Sequence, residues 1–191
     1  MSTHTEHSAN HEIYFCTITC YKWLPLFEIT NTYDAVYNWF NHLKKKDCQV
    51  LGFVIMPNHL HVLLYPTADS LNKLVANGKR FMAYAIVQRL EQDNRHALLK
   101  ELAEGVQPSE KKKGKKHQVF RLSFDARLCF NEPMVEQKLQ YIHHNPVQGK
   151  WNLVDDFVHY PYSSAGFYEG GRQGTYSVTH YKELNSIEHK E

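Results

Sequence analysis

Hydrophobic positions along this chain recur at two periods, and the switches between them mark out its elements. Ile13 to Tyr21 is dense in β-branched and aromatic residues and predicts a strand. Pro25 falls in the loop that follows. Tyr33, Val36, Tyr37, Phe40 and Leu43 then repeat at helical spacing behind Thr30 or Thr32 as a cap. That segment runs out in Lys44, Lys45 and Lys46, cations that suit a helix C-terminus. Gln49–Met56 and His59–Tyr65 predict two more strands, and Pro57-Asn58 between them predicts a tight turn that pairs them antiparallel. Asp69 or Ser70 caps a long helix whose apolar stripe is Leu71, Leu74, Val75, Phe81, Met82, Ala85, Ile86 and Leu90. Gly78 interrupts it at a cost in helix propensity.

The stretch from Gln92 to His117 is polar, with a short helical piece around Ala97–Leu102, and is the candidate for a mobile insertion. Gln118–Phe124 predicts a strand. Asn131 caps a further helix through His144, with Pro133 acceptable in its first turn and Pro146 ending it. Beyond Trp151 aromatics and glycines show little periodicity. The order strand–helix–strand–strand–helix–strand predicts an α+β fold, a ferredoxin-like split β-α-β sandwich. Its antiparallel sheet would carry helices on one face, and the helix ending at His144 would be an addition after the sheet. The outer face is then free for a site. The domain reading is a flexible N-terminal arm at 1–12, one domain at 13–164 with a basic insertion at 92–117, and a C-terminal tail at 165–191.

Composition narrows the classes. A chain of 191 residues, 42% hydrophobic, suits one well-packed domain. No run approaches the ~18 apolar residues that span a bilayer, so no membrane partner is expected. The polar, His-rich start lacks the apolar segment of a secretory signal, and a cytoplasmic location is the expectation. Cys16, Cys20, Cys48 and Cys129 include no C-x-x-C pair and read as small buried hydrophobes. A net charge of +2 argues only weakly for nucleic acid. Lys111–Lys116 holds five lysines in six residues, which is either a solvated loop or a phosphate-binding one.

The chemistry lies in two short stretches. Within Pro57-Asn58-His59-Leu60-His61, the two histidines are two residues apart in a strand and so share a face, while Leu60 turns to the other. Such a pair is a metal site or an awkward core, and the strand alone does not choose. About eighty residues downstream comes Gln140-Tyr141-Ile142-His143-His144-Asn145-Pro146-Val147. Tyr141 and Asn145, four apart, project from nearly the same helix face. Ile142 belongs to the apolar stripe with Val135 and Leu139, which puts Tyr141 beside the core rather than in it.

Together these stretches resemble the two motifs of the single-tyrosine transposases with a His-hydrophobic-His signature: the small insertion-sequence transposases and the REP-associated tyrosine transposases. The resemblance runs from about Ile13 to Ser164. Two departures stand out. Relatives typically continue into a basic residue, Ala, Gly and Leu where this chain has Gln148-Gly149-Lys150-Trp151, and many carry Gln at the position of Asn145.

The resemblance implies the ferredoxin-like sheet already reached from element order. It also implies that Tyr141 is a nucleophile, attacking a DNA phosphodiester to form a 5′-phosphotyrosine and release a 3′-hydroxyl. His59, His61 and Asn145 would bind a divalent cation, Mg²⁺ or Mn²⁺. An unassisted phenol is a weak nucleophile at neutral pH. Three neutral ligands leave a cation its full charge to polarise the phosphate. The covalent link conserves the bond energy, so another 3′-hydroxyl can reverse the step, giving strand transfer. Lys79, Arg80, Lys111, Lys112, Lys113, Lys115, Lys116, Arg121, His143 and His144 are then the candidates for DNA contacts.

The expected partner is single-stranded or hairpin DNA, handled by a monomer or a homodimer. One alternative is a domesticated relative that binds hairpin nucleic acid without cutting it. Another is an RNA-binding ferredoxin-like module, which exposes aromatic pairs on central strands where this chain has histidines.

Overall fold

A computed structural model describes residues 11–184. Most of the expected N-terminal arm therefore lies outside the described residues, as does the chain beyond 184.

Strand β1 (Ile13–Thr19) is followed by a short helix α1 (Leu26–Ile29) and by α2 (Tyr33–Lys44). The hairpin β2 (Gln49–Met56) and β3 (His59–Tyr65) comes next, then the long α3 (Leu71–Gln92). Two helices, α4 (His96–Glu104) and α5 (Pro108–Lys111), fill the polar stretch. Strand β4 (Asp125–Cys129), helix α6 (Glu132–His144) and helix α7 (Ala165–Gly170) follow. The sheet order is β2-β3-β1-β4 with every pairing antiparallel, the ferredoxin-like order predicted from the sequence.

Alternation along the strands sorts residues between two cores. Tyr14, Cys16 and Ile18 of β1 with Leu60, Val62 and Leu64 of β3 face α2 and α3. Cys16, Cys20 and Cys48 lie in this core and Cys129 in the opposite one, all four free and buried as small hydrophobes. Gly78 has a packing reason: a Cβ there would lie 2.3 Å from the Trp39 ring of α2, so the absent side chain lets the two helices touch. Trp39 Nε1 also donates to the Leu74 carbonyl at 3.3 Å. Phe81, placed in the buried stripe by its spacing, is instead 48% exposed and lies beside His42, at the edge of the helix face that packs.

The opposite face is not left free. Val135, Leu139 and Ile142 of α6 pack on Phe15, Leu51, Val54 and Leu63. Asn131 caps α6 as expected, its side chain accepting from the Met134 amide at 3.0 Å. Gly52, at a bulge in β2, permits the close approach, since a Cβ there would sit 2.5 Å from Leu139. Helix α6 thus covers part of the outer face and leaves the His59 end of β3 beside a cavity.

Two further expectations need correction. The strand expected at Gln118–Phe124 is not the sheet's fourth strand; that strand is Asp125–Cys129. Val119 and Phe120 are buried, and their segment meets the end of β1 at a bridge between Phe120 and Cys20, made by the Tyr21 N–H to Val119 carbonyl bond at 2.8 Å and the Arg121 N–H to Thr19 carbonyl bond at 2.9 Å. The true edge strand is largely exposed, so it carries little of the hydrophobic signal. Residues 165–184, expected as a tail, pack on the domain. Thr179 donates its amide to the Val50 carbonyl at 3.1 Å and Tyr168 its hydroxyl to the Leu51 carbonyl at 2.7 Å, both on β2, and Val178 enters the core.

Candidate active site

The site is assembled from β1, the β2–β3 turn, β3 and the end of α6. In β3 the side chains of His59, His61, Leu63 and Tyr65 fall on one face, with the histidine rings 4.6 Å apart between centroids. Leu63 and Tyr65 are covered by α6 and its neighbours. The histidines, nearer the strand's start, line a cavity of about 570 Å³.

Each imidazole is held from behind. Asn58, in the hairpin turn and 2% exposed, donates from Nδ2 to the Trp23 carbonyl at 3.1 Å. That fixes its amide so that Oδ1 meets His59 Nδ1 at 2.7 Å, an acceptor that requires Nδ1 to carry the proton. The lone pair of His59 is therefore on Nε2. Thr17, opposite His61 in the β1–β3 register, shares a 2.9 Å hydrogen bond with His61 Nδ1 and leaves Nε2 for a ligand. This arrangement, with the second ring nitrogen anchored by a polar group, typifies metal-ligating histidines.

Electrostatics keep both rings neutral. Burial pushes the His59 imidazole down to about 4, with Lys150 acting in the same direction and a hydrogen bond with the Asn145 side chain opposing it. Burial also holds His61 well below the ordinary imidazole range, reinforced by His59 and Lys138. A neutral imidazole is the form that binds a cation.

Helix α6 brings the third and fourth candidates. Tyr141 is 46% exposed, with its ring 5.1 Å from His61 and 5.9 Å from Phe15 between centroids. One turn later the helix tightens into a 3-10 turn at Asn145–Val147, which buries Asn145 against His59. Asn145 keeps helical φ and ψ before Pro146, so the amide stays in line with Tyr141. His59, His61, Tyr141 and Asn145 all line the same cavity. Among the described residues no three His, Cys, Asp or Glu side chains cluster as a metal-binding group. A cation bound here would need the Asn145 amide beside the two imidazoles, a neutral nitrogen and oxygen set that fits Mn²⁺ or Mg²⁺.

The basic candidates separate into groups. Arg121 lines the cavity and also a second groove of about 930 Å³ between α3 and residues 110–124. Arg80, Lys113, Lys115 and Lys116 line that groove; Lys113 pairs with Glu110 at 3.0 Å, and Lys111 and Lys112 are exposed nearby. Lys79 has another task, since its ammonium donates to the carbonyls of Arg121, Leu122 and Ser123 and burial lowers it to about 8. His143 is corrected outright: it is 2% exposed, bonds Ser164 Oγ at 2.9 Å and cannot meet DNA. It follows Ile142 into the core because α6 is buried over more than its apolar stripe. His144 turns back to donate to the Gln140 carbonyl at 2.9 Å, with its ring against Phe157.

Sequence reasoning did not single out Thr17, Trp23, Asp125 or Trp151, which also line the cavity, nor the role of Asn58. Trp23 and Trp151 stand 5.9 and 6.4 Å from the His59 ring. Thr17 is findable only once the register of β1 on β3 is known.

No family model matches this chain, and neither does any curated protein. Among solved structures, a candidate transposase from Deinococcus radiodurans R1 aligns at a TM-score of 0.38 and 15% identity, over 72% of this chain and 93% of that one, too loosely to add support. A REP-associated tyrosine transposase bound to a REP hairpin aligns at a TM-score of 0.63 and 16% identity, over 94% of this chain and 93% of that one. Nearly the whole length of each chain is superposed, so this protein carries the fold of a REP-associated tyrosine transposase.

Proposed function

We propose that this chain is a cation-dependent DNA nicking and rejoining enzyme, transposase-like, that acts on single-stranded, hairpin-forming DNA through Tyr141. The observation that carries the reading is the convergence of Tyr141, His59, His61 and Asn145 on one cavity, from elements some eighty residues apart, with the Nδ1 of both histidines already engaged.

His59, His61 and Asn145 would hold a divalent cation, and the chemistry such an ion would supply is polarisation of the scissile phosphate. Thr17 and Asn58 keep the imidazoles oriented and pre-organise the ligand set. Arg121, at the cavity wall, holds a phosphate oxygen of the strand. The Tyr141 oxygen attacks phosphorus as its proton leaves. The bond from phosphorus to the 3′ oxygen breaks, and that oxygen leaves as a 3′-hydroxyl after taking up a proton. The strand's 5′ end remains on Tyr141. Attack by the 3′-hydroxyl of a second strand runs the exchange in reverse and frees the tyrosine. The basic groove shares Arg121 with the cavity, which supports it as the path of the flanking strand.

The test is a nicking assay on end-labelled hairpin oligonucleotides with randomised flanks, with Mn²⁺ or with chelator. Nicking that requires the cation and disappears in Tyr141→Phe is the expected result. Tight binding without nicking favours the non-cutting relative instead.

A further inference from the structure

We propose that Trp23 is a stacking platform for the nucleobase next to the scissile phosphate, an inference that rests on the single-stranded DNA reading above. Trp23 is 51% exposed although it lines the cavity, an unusual expense of apolar surface for an indole beside a buried histidine. Its backbone is also costly. Lys22 and Trp23 are successive non-glycine residues at positive φ, 50° and 60°, and such conformations persist where the surroundings demand them. The surroundings do so here: the Trp23 amide donates to the Cys20 carbonyl at 3.1 Å, and its carbonyl accepts from Asn58, the residue that orients His59. The same short turn thus fixes the ligand histidine and presents the indole beside it.

The ring is placed for a nucleotide. Its edge meets His59 at 5.9 Å between centroids, and the Arg121 guanidinium lies 5.9 Å from the indole centroid. A nucleotide offers a flat π-face and an anionic phosphate, and this pair offers an indole with a guanidinium over its ring. Stacking tolerates any base, so the platform would position the strand without reading its sequence. Trp39, by contrast, is wholly packed in the core, so its indole is not a competing platform.

The experiment uses the full chain carrying Tyr141→Phe, in chelator and low salt, so that cleavage plays no part. The probe is a fluorescein-labelled single-stranded oligo-dT, together with a version carrying 5-iododeoxyuridine for photocrosslinking. Trp23→Ala is expected to weaken binding roughly 5- to 150-fold, the range for loss of one stacked base, while Trp23→Phe keeps most of the affinity. The crosslinked peptide should contain Trp23. The exposed ring makes the substitution tolerable for folding, and circular dichroism of each variant checks this. Binding by Trp23→Ala equal to the parent, or a crosslink that maps elsewhere, overturns the platform alone. Failure of the parent to bind the probe overturns the single-stranded DNA reading and the platform with it.

Discussion

Asn58→Ala removes the link between the Trp23 turn and His59. In the folded protein Asn58 makes two side-chain hydrogen bonds, 2.7 Å to His59 Nδ1 and 3.1 Å to the Trp23 carbonyl. The first loss leaves a buried imidazole N–H without its acceptor, which costs about 1–3 kcal/mol. The second is cheaper, because water reaches the neighbourhood of the half-exposed Trp23, and adds up to about 1 kcal/mol. The expected loss is therefore about 1–4 kcal/mol, read as a shift of the urea midpoint with unchanged slope. Activity falls by more than stability explains. Without the Asn58 acceptor the proton of His59 is free to move to Nε2, which removes the lone pair that faces the cavity. Loss of such an orienting partner typically costs 10- to 100-fold in metal affinity or activity. Asn58→Asp, which keeps an oxygen for Nδ1, should retain more nicking than Asn58→Ala even if it folds no better. Nicking by Asn58→Ala within twofold of the parent would refute the orienting role, and a stability loss under ~0.5 kcal/mol would refute the hydrogen-bond accounting.

Three further outcomes follow from the same geometry. His59 and His143 are both held down to about 4 by burial, so on acidification the unfolded chain takes up protons first, and stability present above pH ~6.5 drains as pH falls towards 4. At pH 5 each contributes a loss of about 2 kcal/mol relative to pH 7, and an unchanged urea midpoint would contradict this. Gly78→Ala would stabilise an ordinary helix by ~1 kcal/mol, but the Cβ contact with Trp39 predicts a loss of about 1–3 kcal/mol, and any gain in urea midpoint refutes it. Lys115→Gln with Lys116→Gln should weaken oligo-dT binding and flatten its salt dependence by about one unit of slope per lost phosphate contact, whereas Lys79→Gln should lower stability and leave the slope alone.

Much of the site was legible because strand and helix periods alone decide which side chains share a face. His59 and His61 are two apart in a strand, and Tyr141 and Asn145 are four apart on a helix whose cap at Asn131 and stop at Pro146 were both readable. The element order sufficed for the sheet topology. What failed to show depends on tertiary register. Thr17 reaches His61 only because β1 pairs with β3 in one register, and Trp23 reaches His59 through a left-handed turn that no periodicity announces. The edge strand Asp125–Cys129 is exposed on most of its length, so the stronger apolar signal of Val119 and Phe120 drew the expected strand a few residues early. His143 misled for the opposite reason. A polar residue beside Tyr141 reads as available, yet Ser164 supplies it with a buried partner from a segment that looked unstructured.

The central claim is that Tyr141 carries the DNA during the reaction, and trapping the protein–DNA adduct tests it most directly. Full-length protein is incubated with single-stranded hairpin DNA and Mn²⁺, denatured, digested and examined by mass spectrometry for a peptide bearing a nucleotide phosphate. The account predicts one modified residue, Tyr141, with no adduct in Tyr141→Phe or in chelator. An adduct on another residue, or one that survives Tyr141→Phe, would contradict it.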